Sequence, residues 1–101
     1  MIVYAISKAR EGMTVEDLAP FMEEELRYGW GLLKQGVTRA IQLRRDAIGV
    51  VITMECESVE EARAHCARFA LLQNGIIDFT YIPVEPFSLW EQMPRAAAEV
   101  S

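Results

Sequence analysis

The sequence predicts an α+β domain of ferredoxin-like βαββαβ order: a four-stranded antiparallel sheet with two helices on one face. Three observations lead there. Short runs rich in β-branched and aromatic residues alternate with two segments of helical periodicity. Their order is strand, helix, strand, strand, helix, strand, and two right-handed crossovers return both helices to the same side. With 101 residues, 51% of them apolar, the chain suits one domain with a real core and is too apolar for a disordered scaffold.

Ile2 to Lys8 opens as a strand, since β-branched and aromatic residues favour a pleated backbone. Alternation sets Ile2, Tyr4, Ile6 and Lys8 on one face and Val3, Ala5 and Ser7 on the other. Both faces are largely apolar, which predicts a central strand. Arg10-Glu11-Gly12 breaks the pattern, and Thr14 or Asp17 offers a side-chain oxygen to cap a helix. Pro20 belongs in a first turn, so regular helix is expected from about Ala19–Phe21. Leu18, Met22, Leu26, Trp30 and Leu33 then recur at helical spacing. Gly36 supplies the left-handed cap. Gly29 and Gly31 flank Trp30 and cost about 1 kcal/mol each against alanine, an argument for close approach of a backbone or ligand.

Val37 to Arg44 alternates again, with Val37, Arg39, Ile41 and Leu43 on one face. Arg45-Asp46 turns the chain, and Ala47 to Cys56 returns as a strand apolar on both faces, hence an inner one. Ser58-Val59-Glu60-Glu61 reads as a capping box. Val59, Ala62, Cys66, Phe69 and Ala70 form the apolar stripe of one helix that ends at Asn74-Gly75. Ile76 to Val84 is the last strand, and Pro83, which cannot donate to a ladder, marks it as an edge. The domain is expected over 1–86 and a C-terminal tail over 87–101, apolar at Phe87, Leu89, Trp90 and Met93 and frayed from Pro94.

The net charge of −5 lacks the basic footprint of a phosphate-backbone binder, so no nucleic acid partner is expected. The opening residues reach a charge too early for a signal peptide or membrane span, which points to a soluble cytoplasmic chain without a membrane partner. Two cysteines cannot staple a domain of this size, so reduced thiols are expected. Two helices cover only one side of a four-stranded sheet, yet the first and third strands are apolar on both. A homodimer packing two sheets face to face is the direct solution.

Two stretches carry a resemblance to a known family. They are Trp30-Gly31-Leu32-Leu33-Lys34-Gln35-Gly36-Val37-Thr38-Arg39 and Asn74-Gly75-Ile76-Ile77-Asp78-Phe79-Thr80-Tyr81-Ile82-Pro83-Val84-Glu85-Pro86-Phe87. Over roughly Met1 to Met93 the chain resembles the muconolactone isomerase-like proteins of the dimeric α+β barrel superfamily. The resemblance implies a homodimer or higher homo-oligomer, with a small organic molecule held between sheet and helices. It also implies a C-terminal tail that reaches a neighbouring subunit through Phe87, Leu89 and Trp90. A cofactor-independent isomerase of a lactone or related small organic acid is one implied activity. A cofactor-free monooxygenase and a non-catalytic binding module are the others.

Five residues, Tyr4, Lys8, Glu25, Trp30 and Arg39, are candidates for such a site. Glu25 either belongs to the solvated run with Glu23 and Glu24 or lies beside Trp30, where desolvation would raise its pKa and suit it to move protons. Arg39 shares a face with Ile41 and Leu43, so it either forks onto a substrate carboxylate or pairs with Glu25, Glu55 or Glu57. Tyr4 and Lys8 could donate to a substrate oxygen and attract an acid if their strand face lines the cleft; otherwise they are packing and surface residues. His65 is the only histidine and has no companions at metal-ligand spacing, so no metal and no cofactor are expected.

Overall fold

In the computed structural model, which describes residues 1–94, β1 (Ile2–Ala9) lies inside a four-stranded antiparallel sheet. Its neighbours are β3 (Val50–Glu55) and β4 (Ile77–Val84), and β2 (Thr38–Leu43) closes the other edge. The order β2-β3-β1-β4 is the ferredoxin-like arrangement that the strand patterns predict. Pro83 sits opposite Val3 on edge strand β4, where its missing N–H interrupts no second ladder. The expected fraying of the tail lies, beyond Pro94, outside the described residues.

The first helical segment is divided. Thr14 N–H donates to Asp17 Oδ2 at 2.7 Å and starts α1 (Val15–Leu18). Pro20 then forces a 3-10 turn over Ala19–Phe21 before α2 (Met22–Lys34) begins. Gly36, at φ +79°, ends α2, and Val37 N–H donates back to Leu32 O at 3.1 Å. Gly75, at φ +72°, closes the second segment in the same way.

That second segment is two helices, not one. Ser58 Oγ accepts from Glu61 N–H at 3.1 Å to start α3 (Val59–Cys66). Phe69 then turns extended, at ψ 132°, before α4 (Ala70–Gln73). The break drives the Phe69 ring into the core, edge-on to Tyr28 at 4.9 Å and stacked on Phe79 at 5.8 Å.

The core lies between the sheet and the helices. Val3, Ala5, Ile52 and Met54 from the strands pack against Leu32, Ala62, Cys66 and Phe69. On the opposite face, Ile2, Tyr4, Ile6, Val51 and Thr53 are only half-buried and Ile82 is exposed. No helix among the described residues is long and apolar enough to cross a membrane.

The pairing of β2 departs from the sequence expectation. A bulge between Thr38 and Ala40 shifts the register of β2, so Thr38, opposite Met54, shares the helix side with Ile41 and Leu43, opposite Ile52 and Val50. Arg39 is the extra residue at that bulge. The stripe of the first helical segment splits: Leu18 and Met22 pack against the buried cluster of Leu71, Ile76 and Ile77, whereas Leu26 is 65% and Trp30 61% exposed.

Candidate functional site

Because α2 does not close on the β2 edge, a cleft of about 500 Å³ opens between them. Leu26, Trp30 and Leu33 form one lip, and Ile41 and Leu43 the other. Ile52, Phe69, Leu71 and Phe79 line the interior. The size falls within the roughly 300–1,000 Å³ of small-molecule sites, which are likewise mostly apolar with few polar groups.

Ser7 lies in the wall, its Oγ accepting from Val50 N–H at 2.9 Å. Gly49 lines the same wall, and a Cβ there would fall 2.0 Å from Ser7 O, so only glycine lets the hairpin pass this close to β1. Neither residue stands out in the sequence. Ser7 reads as part of an alternating strand and Gly49 as part of an apolar run, and only the tertiary approach of hairpin to strand gives them a place in the wall.

Glu25 separates from its acidic neighbours. Glu23 and Glu24 are exposed, whereas Glu25 is half-buried on the cleft side of α2. Its Oε1 accepts from Leu71 N–H at 3.0 Å, tying α2 to the start of α4. Burial pushes its carboxyl above the ordinary glutamate value of 4.5, while the amides of Leu71 and Ala70 pull the other way and Glu24 adds a small upward push. The result is a carboxylate with a fixed direction and a raised proton affinity in an apolar wall.

Glu25 and Trp30 therefore meet in one cleft, but Tyr4, Lys8 and Arg39 do not join them. Tyr4 and Lys8 point to the other side of the sheet, because the β1 residues facing the helices are Val3, Ala5 and Ser7. Lys8 lines a separate groove with Arg10 and Asp78. Arg39, displaced by the bulge, is 61% exposed and stands 4.0 Å from Glu55. The face it was expected to share with Ile41 and Leu43 exists only if β2 is paired without that irregularity.

The remaining reactive groups sit apart from the cleft. Burial pushes the Cys66 thiol up to about 12, so it is protonated and unreactive at neutral pH. Burial also raises the Tyr81 phenol, whose ring lies 4.5 Å from the Arg63 guanidinium. His65 Nε2 is 3.7 Å from Glu61, one helical turn away. Among the described residues, no three His, Cys, Asp or Glu side chains gather at a point.

No family model and no curated protein matches the sequence. Solved structures do. One is a 5-chloro-2-hydroxyhydroquinone dehydrochlorinase from Burkholderia phenoliruptrix AC1100, in complex with 2,5-dihydroxybenzoquinone. It is 16% identical over 84% of this chain and 94% of that one, with a TM-score of 0.71. A NIPSNAP domain protein from Burkholderia xenovorans is 14% identical over 86% of this chain and 97% of that one, with a TM-score of 0.47. The dehydrochlorinase likeness agrees with the strand order and helix placement, and the chain is an α+β protein of ferredoxin-like fold.

Proposed function

We propose that this chain is a small-molecule-binding homodimeric α+β barrel protein whose cleft catalyses proton transfer on a small cyclic organic molecule without a cofactor. The observation that carries the reading is Glu25, a directed carboxylate of raised proton affinity in an apolar cleft of ligand size. The cleft opens beside Trp30 instead of being filled by side chains, which favours a ligand site over a purely structural module. The hydroxylated six-membered ring carried by the similar dehydrochlorinase is a ligand of suitable size for such a cleft.

In this reading Glu25 takes a proton from an acidic ring carbon. The electron pair shifts across the adjacent double bond, and Glu25 returns the proton at the far carbon. One C–H bond breaks and another forms, with no net oxidation. Lactone isomerisation has this form. The tail from Phe87 onward, where Phe87 and Trp90 meet edge-on at 4.9 Å and both are exposed, packs in this reading on the partner subunit.

α-Angelica lactone in deuterated water is a direct probe, since moving its double bond requires this proton shift. The native chain is expected to accelerate isomerisation with deuterium incorporation, and Glu25→Gln to lower the rate by at least about 100-fold, the usual contribution of a positioned base. Equal rates for the two proteins remove Glu25 from the mechanism.

A further inference from the structure

Taking the cleft as a ligand site, we infer that its occupant is an uncharged ring bearing hydroxyl groups, and that ring carboxylates are excluded. The wall decides this. Among the described residues that line the cleft, Glu25 alone has an ionisable side chain, and the other side chains with polar atoms are Ser7, Trp30, Thr38 and Gln42, all uncharged.

No Lys or Arg side chain among the described residues lines the cleft, and four cations of the surrounding strands and turns are directed elsewhere. Arg44 donates to both oxygens of Asp46, at 3.0 and 2.9 Å, and to Ser7 O at 3.1 Å. Arg10 grips Asp78 at 3.0 Å, Arg39 faces Glu55, and Lys8 stands across the sheet. An anionic ligand would leave water for apolar carbon and meet a carboxylate without a counter-charge. Desolvation and like-charge repulsion then act in the same direction.

An uncharged hydroxylated ring meets the opposite balance. Its faces find Trp30, Leu33 and Ile41, which are exposed to water when the cleft is empty. Its hydroxyl donates to Glu25, a side chain that in its ionised form only accepts. The bond from Leu71 N–H holds that acceptor in position before the ring arrives.

Matched pairs test the charge rule: 4-methylcatechol against 3,4-dihydroxybenzoate, and 2-naphthol against 6-hydroxy-2-naphthoate, titrated without oxygen near neutral pH. The Leu71 amide and Trp30 indole resonances report binding. The uncharged member of each pair is expected to bind at least about 100-fold more tightly, as for a charge left buried and unpaired. Ile41→Lys places an ammonium at the half-exposed lip and is expected to narrow the gap about tenfold by strengthening the carboxylates alone. Equal or tighter binding of the carboxylates by the native chain, or an unchanged gap in Ile41→Lys, overturns the charge rule and leaves the cleft a ligand site. If no probe moves either resonance, the ligand-site reading itself fails.

Discussion

Glu25 is where a single side chain has the largest consequence. Its raised pKa has a thermodynamic sign. A carboxyl whose folded value lies above its unfolded one contributes full stability below the unfolded value, and loses it as pH rises through the folded value. The native chain therefore gives up stability as pH climbs past the ordinary glutamate range of about 4.5. Glu25→Gln does not titrate, yet its amide oxygen can still accept from Leu71 N–H. The melting temperature of Glu25→Gln relative to the native chain is expected to rise between pH 4 and pH 7, as followed by circular dichroism. A difference that stays flat or falls contradicts the assigned burial. Sequence alone leaves Glu25 between two readings, because three consecutive glutamates look alike until the extended Phe69 brings the amides at the start of α4 over one of them.

At the scale of elements, local signals mark the ends better than the faces. Gly36 and Gly75 stop helices where their left-handed conformation predicts. Ser58 starts a helix by accepting from Glu61 N–H, and Thr14 starts one by donating its own N–H to Asp17. The bulge at Arg39 is not legible in the same way, since its alternating pattern fits an unbroken strand equally well. Nor does periodicity separate a helix stripe that faces core from one that lines a cleft: Leu26, Trp30 and Leu33 have the spacing of core residues but wall a groove.

Gly31 differs from Gly29 in this setting. A Cβ at Gly29 would touch Phe69 at 3.5 Å, whereas nothing lies within 4 Å of one at Gly31. Gly31→Ala is therefore expected to stabilise the chain by about 0.5–1 kcal/mol, raising the melting temperature by a few degrees. A loss of stability would show that α2 needs the freedom of glycine at that position.

For the whole molecule, the uneven sheet decides the proposed assembly. One face carries the buried strand residues Val3, Ala5, Ile52 and Met54; the other leaves Ile2, Tyr4, Ile6 and Ile82 in partial contact with water. Apolar alternation on both sides of β1 and β3 makes that imbalance readable from sequence. The proposed homodimer covers it, and sedimentation at micromolar concentration is expected to give twice the 11.4 kDa chain mass. Ile6→Asp, which changes the open face only, is expected to give a folded monomer. A native chain that sediments as a monomer contradicts the proposed assembly.

The proposed function places its ligand in the cleft between α2 and β2. A crystal structure of the protein soaked with 4-methylcatechol tests it most directly. The ring is expected between Glu25 and Trp30, with a hydroxyl within hydrogen-bonding distance of the carboxylate. A ring bound instead beside Tyr4 and Lys8 on the open face, or an accessible cleft left empty at saturating concentration, would contradict the account.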